Sequence, residues 1–238
     1  MTTIYLIRHG QASVGTDNYD VLSKTGEAQA NVLGQHLVSA RIEFDAVYSG
    51  ALKRQIDTAT IATEGSEGSE GSEGSGVPVQ VRPEFNEYQH KQIFDKYLPM
   101  LSQSDAEISR AAKDGSNQVM SQTVFSKLMM AWVEDANADA SDIESWQQFN
   151  QRITDGINHV IERNPEKTVA VFTSGGVITS IFRHMFSLPA EKTFEMNWHI
   201  NNAGITSVKH RDNKLTLREY NNISHLLLQR DKKLITQI

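Results

Sequence analysis

The sequence predicts one α/β domain over residues 1–238: a three-layer α/β/α sandwich around a mainly parallel central sheet. Three observations point there. Residues 4–7 and 168–173 are short, nearly continuous apolar runs, the pattern of strands covered on both faces. Each run ends in polar residues. Between them lie stretches with apolar residues at helical spacing, so strands alternate with helices, as parallel sheets require.

The elements follow in order. The first strand, 4–7, runs into Arg8-His9-Gly10 and a loop to about Leu22. Ser23 is placed to cap a helix whose buried face is Ala30, Leu33 and Leu37. Residues 44–49 read as a second strand, followed by a helix from 52 to about 63. Residues 64–76, EGSEGSEGSEGSG, are low in complexity. Gly and Ser give backbone freedom and the repeated Glu favours solvation, so the segment is expected to be a flexible surface loop without catalytic duty.

Residues 79–82 read as a short strand, followed by Glu87 and His90. From 91 to about 135 the pattern is helical. Phe125, Leu128, Met129 and Trp132 fall at i, i+3, i+4 and i+7, which marks a core face. This region, about 91–140, is expected to form a helical cap insertion over one end of the sheet. Ser141 and Glu144 have capping-box spacing, ahead of a helix with Phe149, Ile153, Ile157 and Ile161 on one face and Asn164-Pro165 at its end. After strand 168–173, Ser174-Gly175-Gly176 is a tight turn into a helix over 177–186. Segments 205–209 and 214–220, joined at Asp212-Asn213, predict a closing hairpin and one antiparallel edge.

Composition narrows the classes of function. The 39% hydrophobic content supplies a core. The formal charge of −6 includes four glutamates of the repeat and offers no basic face for nucleic acid or a membrane surface. The absence of cysteine excludes disulfides, thiol catalysis and Cys-ligated zinc and suits a reducing cytoplasm. The first residues have neither the basic nor the apolar region of a signal peptide. No two histidines have the helical spacing of metal ligands, so neither a metal nor another cofactor is expected.

In open α/β sheets ligands bind beyond the carboxyl ends of the strands. Three predicted strand ends carry useful groups: Arg8-His9-Gly10, the turn from Ser49 to Arg54, and Thr173-Ser174-Gly175-Gly176. If these strands are neighbours, Arg8, His9, Arg54 and Ser174 converge. Two guanidiniums and an imidazole suit a phosphate dianion, because the planar Arg fork matches phosphate oxygens. The start of a helix at Gly175 adds backbone N–H groups and the positive end of a dipole. The expected partner is a small phosphorylated molecule.

These same blocks carry a family resemblance. LIRHGQAS resembles the signature of the histidine phosphatase (phosphoglycerate-mutase-like) superfamily, YSGALKRQIDTA its second block, FNEY the block bearing its acid, and TSGGVIT its glycine turn. Together they spread from residue 4 to about 225. The resemblance implies that His9 attacks phosphorus and becomes a phosphohistidine. It implies that Arg8 and Arg54 hold the phosphoryl oxygens and that Glu87 protonates the leaving oxygen and later activates water. Gln11 and Ser13 stand where the family often makes further contacts to phosphate.

One departure stands out. The family's second histidine, at the Gly-Gly turn, is Ser174 in this chain. A serine donates one neutral hydrogen bond, and removing a donor of this kind costs about 2.7–4 kcal/mol. The leading expectation is therefore a phosphomonoesterase, and the alternative is a weakly active or non-catalytic phosphate-ligand binder. A mutase ranks below both, since nothing in the sequence marks a site for a bisphosphorylated primer. Ser174 is not itself read as a nucleophile, because its surroundings are not G-x-S-x-G. The other histidines, His90 among them, are read as structural or surface residues.

Overall fold

The computed structural model describes residues 1–13, 19–64, 76–113, 121–135 and 143–237. The interior of the EGS repeat and Ser141 lie outside them.

Six strands form one sheet: β1 (Thr2–Arg8), β2 (Ala46–Ser49), β3 (Val79–Val81), β4 (Thr168–Thr173), β5 (Ile205–Arg211) and β6 (Lys214–Asn222), in the order β3-β2-β4-β1-β5-β6. Pairs β1–β4, β2–β4 and β2–β3 are parallel. β5 runs antiparallel to β1 and to β6. The antiparallel strand is thus internal, and β6, at the edge, runs with the parallel set.

Both faces are covered, as the apolar runs require. Ile4 and Leu6 of β1 join Val169 and Val171 of β4 in one cluster, together with Ile153 and Ile157 of α6 (Trp146–Arg163) and Ile178 of α7 (Gly175–Phe186). Ile7, Ala170 and Phe172 point to the other face. There they meet Leu33 and Leu37 of α1 (Lys24–Ser39) and Ala59 and Ala62 of α2 (Lys53–Glu64). The alternation of consecutive residues between two apolar layers explains why these strands read as unbroken runs.

α3 (His90–Leu101), α4 (Ala106–Lys113) and α5 (Gln122–Glu134) fill the chain between β3 and α6. Leu128, Met129 and Trp132 are buried, whereas Phe125, the fourth residue of the predicted face, is only partly so. α8 (Ala190–Asn197) follows α7, and the short α9 (Ser224–Leu227) packs near α1.

Three local expectations need correction. α6 is capped by Ser145, not Ser141: Ser145 Oγ accepts from Gln148 N at 3.1 Å and the Gln148 side chain accepts from Ser145 N at 2.9 Å. Glu144 instead ion-pairs with Arg152 of α6, with Nε–Oε1 at 2.5 Å and Nη2–Oε2 at 3.0 Å. The same pattern of hydroxyl and long acceptor three residues apart occurs twice in this stretch. Second, α7 begins at Gly175, two residues before the expected start. Third, β2 begins at Ala46, with Phe44 buried just ahead of it. The β5–β6 turn does fall at Asp212-Asn213, both left-handed (φ 51° and 57°), as a two-residue hairpin of right-handed twist favours.

Candidate active site

The register of β1 against β4 pairs Arg8 with Thr173 and so brings His9 beside Ser174. His9 N donates to Thr173 O at 2.8 Å, one further rung beyond the strand. The two strands depart in opposite directions across the sheet, β1 to β2 and β4 to β5, which opens a crevice at their carboxyl ends. Three strand ends therefore supply the site: β1 through Arg8 and His9, β4 through Ser174, and β2 through Arg54 in the first turn of α2, which follows it.

His9 is buried and fixed at both nitrogens. Nδ1 lies 2.7 Å from Gly10 O, a contact that only a protonated Nδ1 makes favourable. Nε2 then carries the lone pair, and Arg54 Nε donates to it at 3.1 Å. Burial, then Arg54 and Arg8, hold the imidazole well below its ordinary pKa, so it is neutral at neutral pH. Gly10 allows this turn: a Cβ there would stand 2.5 Å from Gly26 O. Gly10 N donates to Thr58 Oγ1 at 3.0 Å, and Thr58 Oγ1 donates to Arg54 O at 2.7 Å. Thr58 thus ties the turn after His9 to the helix that carries Arg54. Asn202 Nδ2 holds His9 O from behind at 3.2 Å.

Arg54 is buried, with Nη1 bound to Asp20 Oδ1 at 2.7 Å and its guanidinium carbon 5.3 Å from the Tyr19 ring centroid. Arg8 Nη1 donates to Ile200 O, while Arg8 Nε is buried with no hydrogen-bond partner among the described residues. That unfilled donor sits 3.8 Å from the position a Cβ would take on Gly175.

Glu87 follows a short 3₁₀ turn, Pro83–Phe85. Arg152 Nη1 fastens that turn by donating to Glu84 O at 2.9 Å and Asn86 O at 2.8 Å. Glu87 Oε2 accepts from Gly176 N at 3.0 Å and Oε1 from Tyr88 N at 3.1 Å. Burial raises the Glu87 pKa, against the opposing pull of these N–H groups and of Arg54 and Arg8. The first turn of α7, expected from sequence to offer its N–H groups to phosphate, is thus partly occupied by Glu87. A Cβ on Gly176 would stand 2.2 Å from Glu87 Oε1, so glycine makes the approach possible.

Ser174 occupies the N-cap position of α7 but makes no capping bond with its side chain. Its hydroxyl accepts from Gln55 Nε2 at 2.8 Å; the same amide nitrogen donates to Phe85 O at 3.0 Å. Gln55 and Ser174 are both essentially inaccessible. Gln11 and Ser13 lie on the loop after His9. Ser23 Oγ donates to Gln11 Oε1 at 2.8 Å, and Ser13 Oγ donates to Leu22 O at 3.1 Å.

Sequence reasoning did not find Gln55, Asp20, Tyr19 or Asn202. Gln55 follows Arg54 directly, but a polar residue on a helix ordinarily signals solvent. Only the contact with Ser174 shows its place.

An imidazole, two guanidiniums and a carboxyl at the carboxyl ends of a parallel sheet define an α/β protein with an electropositive strand-end site. The chain belongs to the histidine phosphatase superfamily (branch 1), whose model matches residues 4–120 and 101–223. It is 25% identical over 203 residues to the adenosylcobalamin/alpha-ribazole phosphatase of Escherichia coli (strain K12), covering 82% of this chain and 83% of that one. Its fold is similar to a phosphoglycerate mutase from Bacillus anthracis str. Sterne (TM-score 0.66, 19% identity, 97% of each chain). It is also similar to a substituted phosphoserine phosphatase from Entamoeba histolytica in complex with phosphoserine (TM-score 0.58, 20% identity, 95% of this chain and all of that one). Among the described residues, no helix is long and apolar enough to cross a membrane.

Proposed function

We propose that the protein hydrolyses phosphate monoesters through a phosphohistidine on His9 Nε2, without a cofactor. The observation that carries this reading is the state of the His9 ring: Nδ1–H is spent on Gly10 O, and the Nε2 lone pair faces Arg54 at 3.1 Å. An incoming phosphoryl group would take over the Arg54 donor and the unfilled Arg8 Nε donor. The chemistry runs in two displacements. Nε2 attacks phosphorus, the ester P–O bond breaks, and protonated Glu87 gives its proton to the departing alkoxide. Water then attacks the phosphohistidine while the Glu87 carboxylate takes a water proton. Inorganic phosphate leaves, and both His9 and Glu87 return to their starting states. The raised Glu87 pKa supports its part as the acid, and positioned cations are the main catalytic device of phosphoryl transfer.

Ser174 and Gln55 together support one further detail. Because Ser174 Oγ accepts from Gln55, its own hydrogen is directed elsewhere and serves as a neutral donor to a phosphoryl oxygen. A cysteine-free chain of this kind fits a cytoplasmic enzyme. The same Ser174 also favours the second reading, a phosphate binder with little or no turnover.

Rapid quenching during turnover of a ³²P-labelled ester tests the proposal. The expected result is acid-labile, alkali-stable label on the protein and none on His9→Ala. Turnover that persists in His9→Ala would overturn it. Phosphate binding without any hydrolysis would establish the binder.

A further inference from the structure

We propose that the site takes phosphate monoesters of an apolar, ring-bearing alcohol, rather than of a carboxylated or otherwise charged one. The inference rests on the reading of the strand-end site as the place of phosphoryl transfer, and deepens it by naming the leaving group.

Five partly exposed rings form a connected row. Tyr19 meets His90 edge to face at 5.7 Å between centroids, and His90 meets Phe94 at 6.0 Å. Phe94 meets Phe125 at 5.9 Å, and Phe125 meets Trp198 at 5.0 Å. The Tyr19 end of the row rests on the phosphate site, where Tyr19 packs on the Arg54 guanidinium. At the other, Trp198 is preceded by Asn197, whose Oδ1 is 2.1 Å from the Cβ position of Gly175, the same point that Arg8 Nε approaches to 3.8 Å. The row therefore runs from the Arg54 side of the site along α3 and α5 to Trp198, just after α8.

The rings are not part of the fully buried core. Trp132, Trp146, Phe149 and Phe194 belong to it, whereas Phe94, Phe125, Trp198 and His90 keep part of their surface open. Apolar ring surface left in water beside a polar site is what a ligand's own apolar part covers favourably.

The charges argue the same way. Each ammonium on α3 and α5 is taken up by a carboxylate: Lys91 by Asp95 at 2.6 Å, Lys96 by Asp135 at 2.7 Å, and Lys127 by Asp105 at 2.6 Å. On α8, Lys192 is held by Glu195 at 2.5 Å. His90, the only titratable ring in the row besides Tyr19, is kept below its ordinary pKa by burial and then by Arg54. A carboxylate on the leaving group would meet uncharged rings and, on α3, α5 and α8, ammonium groups that are already paired.

The test compares esters whose leaving groups are all alkoxides, so that ring binding is separated from leaving-group acidity. The full-length protein is assayed with 2-phenylethyl phosphate, propyl phosphate, phosphoserine and 3-phosphoglycerate. The expected kcat/KM for 2-phenylethyl phosphate is at least ten-fold above each of the others, expressed mainly in KM. In Phe94→Leu and Phe125→Leu the ratio of phenylethyl to propyl ester falls to within about three-fold. Equal rates for propyl and phenylethyl esters, or a preference for either carboxylated ester, would overturn the proposal. Should Phe125→Leu fail to fold, the wild-type panel and Phe94→Leu decide. If no ester is hydrolysed, the phosphatase reading fails on its own. The ring preference is then judged by calorimetry with 2-phenylethylphosphonate and propylphosphonate: ten-fold tighter binding of the former upholds it, and equal binding or none sinks it.

Discussion

The Gln55 amide donates to the Ser174 hydroxyl across 2.8 Å, in a place closed to solvent. Ser174 takes the position at which the family resemblance implies a histidine, and the space beside its short side chain is filled by Gln55. The amide is further fixed by Phe85 O at 3.0 Å, and by Leu52 N, which donates to its Oε1 at 3.3 Å. The serine is therefore one half of a packed pair and not a simple truncation.

It follows that Ser174→His alone will not recover a stronger enzyme. An imidazole at this position meets the Gln55 amide and overpacks the site, at a cost of about 1–3 kcal/mol. The expected outcome is a melting temperature several degrees lower and no gain in kcat. Gln55→Ala combined with Ser174→His is expected to regain stability and to exceed the single variant in kcat by about ten-fold or more. A Ser174→His protein that is both as stable as the parent and faster would refute the pairing. Differential scanning calorimetry and steady-state assays of the two variants decide it.

The Glu87 contacts make a prediction about leaving groups and pH. The proposed mechanism requires neutral His9 and protonated Glu87. His9 is lowered from 6.5 and Glu87 raised from 4.5, in both cases mainly by burial. The rate should rise as His9 loses its proton below pH 6.5 and fall as Glu87 loses its own above pH 4.5, giving a bell-shaped profile. In Glu87→Gln the alkaline limb disappears. Loss of the general acid costs roughly 10²–10⁴-fold for alkyl phosphates, but far less for p-nitrophenyl phosphate, whose leaving group needs no proton. A uniform loss across both ester types would show that Glu87 only caps α7.

His225 provides a pH test of stability away from the chemistry. It is buried, stacked on His36 with centroids 5.3 Å apart, and its pKa falls to about 4 through burial and then His36. The folded state thus binds this proton less readily than the unfolded chain. The associated stability is fully present above pH 6.5 and is lost as pH falls toward 4, and a shift of this size corresponds to roughly 3 kcal/mol. Urea unfolding of His225→Phe at pH 7 and pH 4 should show the acid-induced loss reduced by about 2–3 kcal/mol. An unchanged loss would place the acid sensitivity elsewhere.

The parts of this fold that were legible in the sequence share one physical feature: the signal is local. β1 and β4 show as apolar runs because both faces of those residues are covered. The hairpin shows because Asp212 and Asn213 tolerate left-handed backbone. The convergence of Arg8, His9 and Arg54 was legible only through strand ends and the family blocks. What stayed hidden is tertiary. The Ser145–Gln148 capping box and the Glu144–Arg152 ion pair are contacts that the local pattern does not single out. Gln55 reads as a solvated helix residue until Ser174 is seen beside it. Asp20 and Tyr19 sit in a loop without periodicity, so nothing local announces that they meet Arg54.

Asp20 carries the remaining prediction. Its carboxylate lies 2.7 Å from Arg54 Nη1 and its other oxygen accepts from Lys53 N at 2.9 Å. It holds the guanidinium in place, yet its negative charge also faces whatever dianion Arg54 binds. Asp20 is 38% exposed, so water screens part of this repulsion. Asp20→Asn keeps an oxygen for Lys53 N or Arg54 and removes the charge. Inhibition by inorganic phosphate should therefore tighten by about three- to ten-fold, and kcat should fall where phosphate release limits turnover. If phosphate binding weakens instead, the carboxylate matters chiefly as a strut for Arg54, and a guanidinium left without it no longer holds the position that His9 Nε2 requires.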